Sequence, residues 1–371
     1  MAADLARFHP ALAGALVVDG HTDTPSRLFH RPADLSERLP DGHVDLPRLV
    51  EGGVTSPFFA LFVPHFLGPE EGWAHVDRLL AGLDGQWRPG RLERVATVAA
   101  ARRTAAAGAV GVLLGLENGR CLTGPESVGR LADLGVRYVT PTHVASHEWC
   151  DASTDAPRHG GLSDAGVKIV REMRRRGILV DVSHVSDDAA LHALDALRGP
   201  VLASHSSARA LCDHPRNLPD GVVREIAKAG GVVMANAYPA FLDPAAAAAN
   251  RERSAEVRRR LAEAEAAGEL TPETAFEIGR EVTSERPLPP VPVGRMLDHL
   301  MHLVEVAGEE HVGIGTDFDG ISDVPVGLED VSRFPALVEG LLTRGLPPAV
   351  VRGVIGENAL RVLAEAERRA G

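Results

Sequence analysis

The sequence predicts an α/β fold of the (β/α)8, TIM-type barrel class. Three observations carry this. About eight short apolar runs of strand length recur along the 371 residues. Most are separated by stretches with helical periodicity, the alternation that builds parallel sheets. The runs end, again and again, on a histidine or a carboxylate, and barrel enzymes place their chemistry at the C-terminal ends of the strands.

Taken in order, residues 16–18 read as a short buried strand, followed by a connecting region with two Pro-bearing turns. Residues 53–55 lead into the apolar run 58–63, and helical spacing then covers roughly 72–86. An Ala-rich helix over 97–107 precedes the run 110–116, which ends on Glu117. A helix over 128–134, closed by Gly135, leads to the strand 136–140 and on to His143. The polar, aperiodic residues 147–159 read as a loop. Residues 163–176 have Val167, Ile169, Val170 and Met173 on one face and basic residues on the other, an amphipathic helix capped by Gly177. Run 178–182 then ends on His184, a helix follows over 187–197, and run 200–203 ends on His205.

A helix over 222–229 precedes the run 232–235, which leads to Asn236 and Tyr238. Residues 245–268, dominated by Ala, Glu and Arg, read as a long solvated helix supported by charge pairs four residues apart. Four prolines in 285–292 read as a rigid linker. The chain closes with a helix over 293–307, a last strand 312–315 ending on Asp317, and helices over 336–344 and 348–370. The expectation is one domain over 1–371, with 243–292 as a helical insertion and Pro-rich linker.

Composition narrows the function classes. Hydrophobic residues are 44% and charged residues 24%, ordinary for a soluble globular protein. The net charge of −12 gives no basic stripe for nucleic acid. Three cysteines, Cys121, Cys150 and Cys212, fit no zinc-finger spacing and read as reduced thiols of a cytoplasmic protein. Residues 1–11 lack a signal-peptide core, no apolar run reaches about 18 residues, and 368–371 lack an anchor tail, so no membrane association is expected.

The residues that follow the apolar runs are His21, Asp23, Glu117, His143, His184, His205 and Asp317. Four imidazoles and three carboxylates with no thiolate suit Zn2+, and also Mn2+ or Co2+. One ion does not need so many ligands, whereas two ions sharing a bridging carboxylate use them. Singly, each residue has an ordinary alternative: Ser183-His184 and Ser204-His205-Ser206 could cap helices, and Glu117 could be a turn residue. Jointly, ligand types at so many strand ends point to a metal site. Arg216 offers a planar fork for a carboxylate, or a surface ion pair. The residues alone leave open a peptidase, a metallohydrolase of another amide, lactam or ester, and a non-catalytic ligand-binding barrel.

Six stretches stand out together: Asp19-Gly20-His21-Thr22-Asp23, Gly177 to Ser186, Pro200 to Ala208, Arg216-Asn217-Leu218-Pro219-Asp220, Gly313 to Gly320 and Gly356 to Arg361. They resemble the motifs of the membrane dipeptidase (renal dipeptidase) family of zinc peptidases, among the amidohydrolase-like barrels, the first with Thr22 in place of Asn. The resemblance covers nearly the whole chain. It implies a dipeptidase with two zinc ions per chain, in which a metal-bridging hydroxide attacks the peptide bond of short peptides. His21 and Asp23 would hold one zinc, His184 and His205 the other, and Glu117 would bridge. His143 would stabilise the oxyanion, Arg216 would bind the substrate carboxylate, and Asp317 would shuttle the proton. Tyr238 is a further substrate-contact candidate. Small peptides are the expected partners, and homodimer formation is left open. Asn118, where the family usually has Gly, and residues 144–149 depart from the pattern, which bears on specificity more than on metal binding.

Overall fold

The structure, a computed structural model, describes residues 5–370. The readings made on the first four residues and on Gly371 lie outside it. Eight strands are regular: β1 (Phe58–Phe62), β2 (Leu92–Arg94), β3 (Val110–Glu117), β4 (Val136–Thr140), β5 (Leu179–Val180), β6 (Leu202–Ala203), β7 (Val232–Ala235) and β8 (Val312–Ile314). All their pairings are parallel: β1-β3-β4-β5 in one sheet, with β2 flanking β3, and β6-β7-β8 in the other.

Backbone hydrogen bonds close the two sheets into a ring. Val182 N–H donates to the Leu202 carbonyl at 2.7 Å, joining β5 to β6. Residues 17–23 supply the remaining stave. On one side the Asp19 carbonyl accepts from Phe58 N–H at 2.8 Å and Thr22 N–H donates to the Phe58 carbonyl at 3.0 Å. On the other side Gly20 N–H donates to the Ile314 carbonyl at 2.9 Å and the His21 carbonyl accepts from Asp317 N–H at 3.0 Å. The predicted strand at 16–18 is thus displaced toward 17–23 and irregular, because it serves two neighbours with a different register on each side. The short β2 outside the ring was not expected from the sequence.

Val18, Phe58, Leu113, Tyr138, Leu202, Val232 and Met234 of the ring pack with Leu360 and Leu363 of the last helix. Gly115 on β3 makes room for the largest of them: a Cβ there would lie 2.2 Å from the Tyr138 ring. A second apolar layer, including Ile169, Val170, Ala190, Val223 and Leu300, fills the space between strands and outer helices.

Most predicted helices lie within a few residues of the observed ones, and Asp187–Leu197 and Val293–Ala307 match fully. Three differences have local causes. The connection after the first stave holds two short helices, Thr24–His30 and Leu46–Gly52, each with Pro in its first turn, where the missing N–H costs nothing. The insertion contains a second helix, Pro272–Glu285, antiparallel in chain sense to Pro244–Ala266 and starting from a Thr271 cap. The closing helix is broken around Gly356. There the backbone passes so close that a Cβ would lie 2.2 Å from the Leu16 carbonyl oxygen, and the Ile355 carbonyl accepts from Val18 N–H at 2.8 Å. The break ties the C-terminal segment to the first stave. No helix among the described residues is long and apolar enough to cross a membrane.

Candidate metal centre

The stave ends bring the sequence-predicted ligand candidates to one place. Donor atoms of three overlapping groups lie within 4.8 Å of one another: His21, Glu117 and His205; Glu117, His143 and His184; His21, Asp23 and Asp317. Glu117, at the end of β3 and 3% exposed, is the hub. Its Oε2 lies 3.5 Å from His21 Nε2, and its Oε1 lies 3.0 Å from His184 Nε2 and 3.6 Å from His205 Nε2. On the far side, Asp23 Oδ2 is 3.5 Å from His21 Nε2. The two oxygens of one carboxylate therefore face two different sets of donors.

Hydrogen bonds behind the imidazoles assign their tautomers. Ser204 Oγ donates to Asp181 Oδ2 at 2.6 Å, so it accepts from His205 Nδ1 at 2.6 Å and leaves His205 Nε2 as a lone pair. Tyr138 Oη donates to the Gly20 carbonyl at 3.2 Å and accepts from His21 Nδ1 at 2.8 Å, so Nε2 is the nitrogen His21 has for a metal; burial works against its charged form, but Tyr138 and Glu117 hold it well above the usual imidazole range, so a metal ion would take the place of the Nε2 proton. That nitrogen is buried without a hydrogen-bond partner. His184 and His205 bring their Nε2 atoms to 2.9 Å. Inward lone pairs fixed by outer hydrogen bonds are what a metal site requires, so the residues fit divalent metal ions. Asp181, Ser204 and Tyr138 carry no ligand signal in the sequence; Tyr138 meets His21 across 117 residues and Asp181 meets Ser204 across 23, so no local pattern shows these pairs.

Burial holds His143, His184 and His205 well below the usual imidazole range, so they are neutral at pH 7, the form that can ligate. Burial, with the charge of Glu117 alongside, raises Asp23 to about 6, and burial with the neighbouring carboxylates raises Asp317 to about 7. A cation reverses this, since it favours the charged carboxylates. In the metal-free protein Asp23 and Asp317, whose unfolded value is near 3.8, contribute stability at low pH that is lost as pH rises toward 7, whereas the neutral His143, His184 and His205 contribute stability that is gained as pH rises through the unfolded imidazole value of 6.5. Bound cations favour the charged carboxylates and the neutral imidazoles alike, so adding metal to chelator-treated protein should raise the melting temperature more at about pH 7 than at about pH 5. An equal rise at both would contradict this electrostatic account.

His143 is half-buried beside His184, with ring centroids 4.5 Å apart. Asp317 Oδ2 accepts from Asn236 Nδ2 at 3.0 Å. Arg216 is 4% exposed; one Nη donates to the His205 carbonyl at 3.3 Å, while Nε and the other Nη are buried without partners. Burial lowers its pKa only to about 10, so it stays charged. Tyr238 sits after β7, but its hydroxyl is engaged with Asn250 at 2.8 Å and with Arg253. His184, Asp317 and Asn118 all have left-handed backbones, with φ of 68°, 66° and 69°. Asn is among the few non-glycine residues that visit this region routinely, which explains how position 118 departs from Gly without breaking the turn after Glu117.

Comparison with known proteins agrees with this geometry. Residues 5–371 match the family model for membrane dipeptidase, peptidase family M19. The dipeptidase aclJ of Aspergillus oryzae is 32% identical over 370 residues, covering 95% of this chain and 78% of that protein. Among solved structures, the probable dipeptidase PvdM of Pseudomonas aeruginosa superposes with a TM-score of 0.83 at 25% identity, over 99% of both chains. A metallopeptidase of Rhodobacter sphaeroides, solved with a phosphinate mimic of the dipeptide L-Ala-D-Ala, gives a TM-score of 0.76 at 25% identity over 95% of this chain and 99% of that one. An α/β barrel whose mouth gathers imidazole and carboxylate donors, and a match across the described chain, lead to one assignment: the protein belongs to the membrane dipeptidase family, peptidase family M19, and is a metal-dependent peptidase.

Proposed function

We propose that the chain is a dinuclear zinc dipeptidase that hydrolyses the peptide bond of dipeptides. The observation that carries this is Glu117, whose Oε2 faces His21 while its Oε1 faces His184 and His205. In this reading His21 and Asp23 hold one zinc ion, His184 and His205 the other, and Glu117 serves both. Zinc supplies a water of lowered pKa and a polarised carbonyl. The chain's own residues do the rest. Arg216 presents its charge and its free guanidinium N–H groups to the free carboxylate of the substrate, which fixes the scissile bond at one register and limits substrates to very short peptides. Neutral His143 donates a hydrogen bond to the carbonyl oxygen as negative charge builds on it. Asp317, held by Asn236, takes the proton of the attacking water and returns it to the departing amine.

The dipeptide mimic bound to the Rhodobacter sphaeroides relative supports a short-peptide substrate. The three buried, unpaired cysteines support a reducing, cytoplasmic setting. The helical pair within 243–292 is read as an insertion into a single barrel domain.

The test has two parts. Protein purified without chelator and reconstituted with zinc should carry about two ions per chain by elemental analysis. It should cleave free dipeptides, and amidated dipeptides poorly. One ion at saturation removes the dinuclear reading. Equal rates on free and amidated dipeptides remove the role of Arg216. Cleavage of lactams or esters in place of dipeptides would move the enzyme to a different substrate class.

A further inference from the structure

Arg253 lies on the helix Pro244–Ala266, a charged segment that the sequence presents as solvated surface, yet it is 4% exposed. Its guanidinium ties its own helix to three other segments. One Nη donates to Asp323 Oδ2 at 2.6 Å, in the loop after β8, and to the Arg286 carbonyl at 3.5 Å, at the end of the insertion. The other Nη donates to Tyr238 Oη, after β7, and Nε donates to Asn250 Oδ1 at 3.3 Å. Tyr238 Oη passes its own proton to Asn250 Oδ1 at 2.8 Å. All three guanidinium nitrogens of Arg253 and the Tyr238 hydroxyl have partners here, which gives Tyr238 a defined orientation.

From Tyr238 the contacts lead into the site. Its ring meets Phe241 edge-on, with centroids 4.9 Å apart, and Phe241 in turn supports the guanidinium of Arg216, whose Cζ lies 5.3 Å from the ring centroid. The Arg216 guanidinium makes one hydrogen bond, to the His205 carbonyl, and its Nε and other Nη have none, so this aromatic support contributes to holding it in place.

We propose that Arg253 is a positioning residue for substrate recognition: through Tyr238 and Phe241 it fixes the guanidinium of Arg216 in register with the metal centre. The helical insertion is then part of the substrate-binding apparatus. The inference rests on Arg216 binding the substrate carboxylate, and it adds where the precision of that contact comes from.

The readout is selectivity. A general loss of stability lowers turnover of free and amidated dipeptides alike, whereas a displaced Arg216 lowers only the advantage of the free carboxylate. Arg253→Ala should reduce the ratio of kcat/KM on free over amidated dipeptide by about tenfold, mainly through KM, with zinc content unchanged. Arg253→Lys, which can keep the Asp323 pair or the tyrosine contact but not all of them, should recover part of the ratio. Tyr238→Phe keeps the ring and removes the hydroxyl, so it serves if Arg253→Ala does not fold. It should lower the ratio as well, and adding it to Arg253→Ala should produce little further change. A high ratio in the parent that persists in Arg253→Ala and Tyr238→Phe overturns the positioning role alone. A parent ratio near one overturns the carboxylate role of Arg216 and this inference with it.

Discussion

Asp317→Asn should lower kcat by about 10²–10⁴-fold while both metal ions stay bound, the range that proton transfer by a positioned side chain contributes. The substitution preserves shape, and an amide oxygen at 317 can still accept from Asn236 Nδ2, which now lies 3.0 Å from the carboxylate. What it removes is the capacity to take a proton. Two other roles predict different results. Asp317 shares a group with His21 and Asp23, so if it ligates, metal content should fall together with activity. If it only supports its turn, the loss should be about 1 kcal/mol of stability, as for a lost cap, with kcat nearly intact. Measuring kcat, zinc content and melting temperature on the one variant separates the three. Full occupancy with near-parental kcat sinks the shuttle, and His143, beside His184, becomes the next candidate.

Glu117→Ala should abolish activity and leave fewer than two zinc ions per chain. Losing an outer hydrogen-bond partner already costs a metal site about 10–100-fold in affinity. Glu117 is closer in: it faces His21 with one oxygen and His184 with the other, at 3.5 and 3.0 Å. Its removal leaves four imidazoles, His21, His143, His184 and His205, with Asp23 and Asp317 as the remaining carboxylates among the gathered donors. Glu117→Gln, which keeps one oxygen, should retain more metal than Glu117→Ala. Two tightly held ions in Glu117→Ala would mean that the carboxylate does not bridge. Elemental analysis with a zinc titration decides it.

The resemblance and the comparisons converge on the same family, but the residues explain why the chemistry was visible so early. A barrel aims every strand C-terminus at one face, so a ligand type after an apolar run is a statement about location as well as composition. His21, Asp23, Glu117, His143, His184, His205 and Asp317 were legible for that reason, and the structure gathers all seven. Tyr238 was placed near the site, but its hydroxyl faces Asn250 and Arg253, a connection no local pattern encodes.

The sequence by itself determined the alternation of strands and helices, the stave ends that carry donors, and the acidic net charge of −12. These follow from periodicity and composition, which act over a few residues. Tertiary structure alone decided the rest. The tautomers of His21 and His205 depend on Tyr138 and on the Ser204–Asp181 pair, brought together across 117 and 23 residues. The ring closes through an irregular stave at 17–23, whose hydrogen bonds are set by neighbours on both sides. The last helix breaks at Gly356 because the chain's beginning passes against it. Arg253, one arginine among many on a charged helix, is buried because residues 238, 286 and 323 converge on it. Each of these is a contact between distant segments, and its energy exists only once the barrel has closed.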